Sequence, residues 1–125
     1  LCKACPLFVP LAEEGWTDND IARAVIAEYL SPFRSEPPDA LILGCTHYPV
    51  LKGAIRDFLG EGTVLIDSGE EAAMVVDILL SETQVRSKGD ARRTEFFVTD
   101  DPERFARIGS GFFGRELCDV RRVDL

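Results

Sequence analysis

A chain of 125 residues that is 46% hydrophobic can bury one packed core, and its 14 Lys and Arg against 22 Asp and Glu leave a formal charge of −8. That balance repels polyphosphates, so no nucleic-acid partner is expected. No run approaches the ~18 consecutive apolar residues of a membrane span, and no basic region followed by an apolar signal core opens the chain, so a cytoplasmic protein with no membrane partner is expected.

Taken in chain order, "CPLFVPL" is a short apolar run bracketed by Pro6 and Pro10, which predicts a strand leading into a loop at Glu13, Glu14 and Gly15. Thr17 followed by Asp20 has the spacing of a capping box. The helix it opens carries Ile21, Ala22, Val25, Ile26 and Tyr29 on one apolar face and stops at Ser31-Pro32. A Pro-rich turn then leads into Ala40 to Leu43, a continuous apolar run of the kind found in parallel strands buried on both faces. Cys45 falls just past its carboxyl end.

Pro49 suits the first turn of the next helix, which continues through Val50, Leu51, Ala54, Ile55, Phe58 and Leu59 to Gly60. A second unit of the same kind follows: a strand from Thr63 to Ile66, a loop at Asp67, Ser68 and Gly69, and a helix from about Glu70 to Leu80. Two successive strand-loop-helix units predict an α/β sheet. "SETQVRSKGDARR" reads as an exposed connection. A strand from Thr94 to Val98, a cap at Thr99 or Asp100, a helix with Phe105, Ile108 and Phe112 on its apolar face, and a weak edge strand in "CDVRRVDL" complete the chain.

Ligands of open α/β sheets bind beyond the carboxyl ends of the strands, which nominates three loops: Glu13 to Gly15, Cys45 to Tyr48, and Asp67 to Gly69. Within "LILGCTHYPVL" the chain presents a thiol, a hydroxyl, its sole imidazole and a phenol in succession. A cysteine before a helix start and beside an imidazole can act as thiolate nucleophile or base. From the residues alone a second reading stands beside it, a small buried Cys45 and a hydrogen-bonded loop His47. Cys2 and Cys5 form a single CxxC pair, too little for a zinc site, so no metal is expected. Acidic Asp67, Glu70 and Glu71 oppose an anion at the third loop, which reads as a helix cap.

With "ACPLFVPLAEEGW", "LILGCTHYPVLK" and "VLIDSGEEAA" in this order and spacing, the chain resembles the second half of the glutamate racemases, of the aspartate/glutamate racemase superfamily. The resemblance covers nearly the whole chain, "FFVTDDPERFARIGSGFFG" included. It implies an α/β parallel-sheet sandwich with two similar lobes in the full enzyme. Residues 1–69 would be the second-lobe segment bearing the GCTHYP loop, and residues 70–125 the carboxyl-terminal segment returning to the first lobe and leaving apolar surface unpaired.

The implied activity is cofactor-independent interconversion of L- and D-glutamate by two thiols, one on each face of the α carbon, supplying D-glutamate for peptidoglycan. The resemblance assigns one thiol to Cys45, substrate contact to Thr46, assistance of the thiol or the substrate ammonium to His47, and the carboxylate paired with that histidine to Glu13. The partners it implies are glutamate and an amino-terminal lobe; a homodimer is compatible with it. The family's amino-terminal Asp-Ser-Gly loop and Ala-Cys-Asn-Thr type motif do not precede Leu1. The "DSG" at Asp67 and the thiol of Cys5 are no substitutes, so the chain is expected to be a segment that does not racemise alone. The alternatives are a related amino-acid racemase or a one-thiol decarboxylase of the same superfamily, or a non-catalytic binding module.

Overall fold

The computed structural model describes residues 1–87, 89 and 94–124. Two parallel strands, β1 (Ala40–Leu43) and β2 (Val64–Asp67), pair in register from Ala40 opposite Val64 to Leu43 opposite Asp67. Both strands therefore end at the same edge, and the loops that follow them share it. The 3-10 turn Tyr48–Leu51 and helix α3 (Lys52–Leu59) connect the two strands. Pro49 occupies the start of that turn, where its missing N–H has no helical partner to lose. Gly60, with φ +86°, closes α3 by donating its N–H to the Arg56 carbonyl at 2.8 Å.

The "CPLFVPL" run is not a strand: Phe8–Glu13 form helix α1. Pro10 stands in the first turn, where the backbone N–H groups have no intrahelical acceptor, so the two prolines that suggest an interrupted strand are compatible with a short helix. Gly15, with φ +73°, ends it, its N–H bonding the Ala12 carbonyl and the next amide, Trp16, bonding Leu11. Glu13 consequently sits at the carboxyl end of a helix and not in a loop after a strand.

Helix α2 (Asp20–Leu30) begins two residues later than the Thr17 spacing predicts, because the Asn19 side chain accepts from the Ala22 N–H at 2.9 Å. Its buried stripe is Ala22, Ile26 and Leu30, while Ile21 is half exposed. These side chains pack with Phe8, Leu11, Phe33, Leu43, Leu51, Ala54, Ile55 and Leu59 in one core. Phe8, Ile26, Leu51 and Ile55 are its fully buried large members, each stabilising the fold by about 1.5–3 kcal/mol through removal from water. The strands are covered on one face only: Leu43 and Leu65 are buried, whereas Ile42 and Val64 are 67% and 62% exposed, so burial of β1 on both faces does not hold. The apolar run is continuous because alternate residues point to opposite faces of the strand, and one of those faces is bare among the described residues.

Asp67 caps helix α4 (Ser68–Glu82), its carboxylate accepting from the Gly69 and Glu70 N–H groups at 2.8 and 3.3 Å. The helix runs into the segment expected to be a connection, and residues 88 and 90–93 of that segment lie outside the described residues. No residue of α4 is buried, and Met74, Val75, Val76, Ile78 and Leu79 are each about half exposed.

The chain divides into two compact units, Leu1–Arg86 and Ser87–Leu125. In the second, β3 (Phe96–Val98) pairs in parallel with β4 (Val120–Arg122), so the weakly alternating carboxyl-terminal segment does supply a strand. Helix α5 (Pro102–Phe113) is capped by Asp101, whose carboxylate accepts from the Glu103 and Arg104 N–H groups at 3.0 Å each, in place of the expected Thr99 or Asp100. Phe96 meets the rings of Phe105 and Phe113 at 6.0 and 5.5 Å between centroids.

Candidate active site

The site is built on the loop that leaves β1. Leu43 is buried, Gly44 ends the strand, and Cys45, Thr46 and His47 form a turn closed by the Tyr48 N–H donating to the Cys45 carbonyl at 3.1 Å. This tight geometry folds the imidazole back over its neighbours. Nδ1 of His47 lies 3.9 Å from the Cys45 Sγ and 3.4 Å from the Thr46 Oγ1.

The other ring nitrogen faces a different element. Nε2 of His47 is 3.6 Å from Oε1 of Glu13, the last residue of α1, and both side chains are about 30% exposed. Carboxylate, imidazole and thiol thus stand in series, with Thr46 exposed at their edge and Cys45 partly buried. In the tautomer that carries its proton on Nε2, toward Glu13, Nδ1 is an acceptor facing both the Thr46 hydroxyl and the Cys45 thiol. All four site residues named by the sequence come together here: Glu13, Cys45, Thr46 and His47.

Beneath them lies a set of contacts with no signal in the residue spacing. Tyr48 donates its phenol proton to the Cys5 carbonyl at 3.2 Å, and its ring meets Phe8 edge-on at 5.2 Å. Burial pushes the Tyr48 hydroxyl above its ordinary ionisation range, followed by the nearby Cys5 and Cys45 thiols. Burial likewise raises the Cys5 thiol, partly offset by Lys3. Cys5 is buried beside α1, on the core side of Tyr48. The Tyr48 phenol meets a backbone carbonyl 43 positions away, which any residue at position 5 would supply; no local pattern announces it.

The loop after β2 contributes a cap and an ion pair. Lys52 at the start of α3 bonds Glu70 at 2.5 Å, so the acidic first turn of α4 is partly neutralised by a cation that the sequence reading did not identify. Among the described residues no three His, Cys, Asp or Glu side chains group as a metal site, and no helix is long and apolar enough to cross a membrane. A groove beside β1, lined by Cys2, Cys5, Phe8, Leu41 and Gly44, excludes the side chains of Glu13, Cys45, Thr46 and His47 from its walls.

No protein-family model matches the chain. The glutamate racemase of Geobacter metallireducens is 48% identical over 124 residues, which is 98% of this chain and 46% of that protein. Two solved structures match equally broadly. Glutamate racemase from Francisella tularensis in complex with D-glutamate superposes with a TM-score of 0.83 at 36% identity, over 98% of this chain and 46% of that one. The enzyme from Thermus thermophilus in complex with β-chloro-D-alanine does so with a TM-score of 0.84 at 44% identity, over 98% and 47%. The chain is therefore homologous to glutamate racemases and has the fold of their carboxyl-terminal part, and it spans about half the length of the curated relatives it matches.

Proposed function

We propose that this chain is the carboxyl-terminal half of a glutamate racemase and supplies one of the two groups that move the α proton of glutamate. The series Glu13–His47–Cys45 is the observation that carries the proposal, because it sets the Cys45 thiol 3.9 Å from an imidazole nitrogen whose ring faces a carboxylate on its other side. Similarity to glutamate racemases along 98% of the chain supports it.

The α proton of glutamate is very weakly acidic, so inversion needs a base on one face of the carbon and an acid on the other. Cys45, as thiolate, takes the proton from one face; the electron pair of the broken C–H bond stays on the α carbon and its carboxylate. A second thiol, contributed by the remaining part of the longer protein, delivers a proton to the opposite face. In the reverse direction Cys45 is the donor. His47 holds the proton that leaves the Cys45 sulfur, Glu13 fixes the ring with Nδ1 toward sulfur, and the exposed Thr46 hydroxyl binds substrate. No cofactor enters this scheme. The product D-glutamate would serve peptidoglycan synthesis in the cytoplasm.

In the same proposal, residues 1–69 form the second-lobe segment and residues 70–125 return to the first lobe. The half-exposed apolar residues of α4 support that assignment, since a surface of this kind is ordinarily covered. The division of the chain at Arg86 and Ser87 describes its own compact units and is a separate matter from lobe membership.

The test is deuterium incorporation at the α carbon of L- and D-glutamate, followed by NMR, for a longer protein containing this chain and for its Cys45→Ser variant. Exchange that depends on Cys45, together with no exchange by the 125-residue chain alone, is the expected result. Absence of exchange with either enantiomer in the longer protein would remove the racemase assignment.

A further inference from the structure

We propose that Tyr48 is a positioning residue: its phenol ties the Cys45–His47 loop to the entry of α1 and so holds Glu13 in register with His47. The inference rests on the reading of Glu13, His47 and Cys45 as the working series, and adds to it the part that keeps the series assembled.

The mechanical route is short. Tyr48 is bonded covalently to His47, and its hydroxyl donates to the Cys5 carbonyl at 3.2 Å. That same carbonyl accepts the Phe8 N–H at 3.0 Å, where α1 begins. Helix α1 has six residues, about 9 Å of rise, so a shift at its start is passed directly to Glu13 at its end. The Tyr48 ring is itself fixed. Phe8, 2% exposed, is met edge-on by Tyr48 at 5.2 Å and by Tyr29 at 5.5 Å, and Tyr29 in turn accepts the Leu7 N–H at 3.4 Å. Two phenols, on the Cys5 carbonyl and the Leu7 N–H either side of Pro6, define where that helix starts relative to the loop. Because burial favours the neutral phenol, the Tyr48 hydroxyl remains a donor through the neutral range.

A tyrosine that merely fills the core would stabilise the fold without setting the imidazole's surroundings, and the two roles separate spectroscopically. His47 is the sole histidine of the chain, so ring 15N signals of histidine-labelled protein belong to it without further assignment. At neutral pH, Glu13→Gln moves both ring signals, and Tyr48→Phe moves them the same way by roughly half as much or more. In the Glu13→Gln background, Tyr48→Phe adds little, because the partner whose position it controls is already altered. An unchanged ring spectrum in Tyr48→Phe overturns the proposal, as does a shift that persists undiminished in the Glu13→Gln background, which would be a direct effect on the ring. Loss of cooperative unfolding in Tyr48→Phe would assign the phenol to stability and overturn it too. The readout needs no turnover, so it fails or succeeds separately from the racemase reading.

Discussion

Oε1 of Glu13 stands 3.6 Å from Nε2 of His47, bringing the carboxyl end of α1 to the loop after β1. In the proposed scheme a carboxylate there favours the ring tautomer with the proton on Nε2, which leaves the Nδ1 lone pair facing Cys45. Glu13→Gln keeps the shape and removes the charge, and the amide can present N–H where the carboxylate presented oxygen. In the longer protein this variant should lose about 10²-fold in kcat with a smaller change in KM, measured by the rate of optical inversion of L-glutamate. An unaltered kcat would separate Glu13 from the chemistry.

The contrast between two isoleucines of α2 tests the core. Ile26 is fully buried in the core, whereas Ile21, at the opposite edge of the same apolar face, is half exposed. Ile26→Ala should destabilise the first unit by about 2–5 kcal/mol, and Ile21→Ala by no more than about 0.5 kcal/mol. Urea unfolding followed by far-UV circular dichroism distinguishes them, and equal losses would contradict the packing described.

That contrast also marks the limit of what spacing reveals. Periodicity located α2, β1, α3 and β2 because each combines a repeating apolar pattern with a nearby breaker such as Ser31-Pro32, Gly44 or Gly60. It misread α1, since six residues provide too few turns to display a helical period and Pro10 suggests interruption. Caps were displaced toward plausible neighbours: Asn19 and Asp101 compete with Thr17, Thr99 and Asp100 for similar hydrogen bonds, and only backbone geometry chooses among them. At the site, Cys45 and His47 were legible from their place after a strand. Glu13 entered through the family resemblance, and the Tyr48–Cys5 bond through neither, because a contact between residues 43 apart leaves no periodic trace.

Helix α4 gives a prediction about order. Its fifteen residues have good caps but no buried side chain, and helices of about this length are marginal when tertiary packing is lacking. Amide hydrogens from Met74 to Leu80 should therefore exchange rapidly in the 125-residue chain and become protected in the longer protein, where we propose that this face is covered. Asp67→Ala should accelerate the exchange further, since loss of such a cap costs about 1 kcal/mol. Strong protection in the chain alone would show that α4 is already packed.

Alkaline pH should weaken the first unit through two groups. Tyr48 and Cys5 are both raised from ordinary values of 10.0 and 9.0, burial being the main cause for each. A group raised in the folded state is protonated there when the unfolded chain has already released its proton. Below pH 9 both states hold these protons, and the contribution is fully present. Above it the unfolded state binds fewer protons, so unfolding free energy falls as pH rises, first through Cys5 and then through Tyr48, until the folded values are passed. Denaturant midpoints should hold between pH 7 and 8 and decline above about pH 9. Tyr48→Phe removes the upper part of that decline and Cys5→Ala the lower part. An identical slope in both variants and the parent chain would place the alkaline sensitivity in other groups.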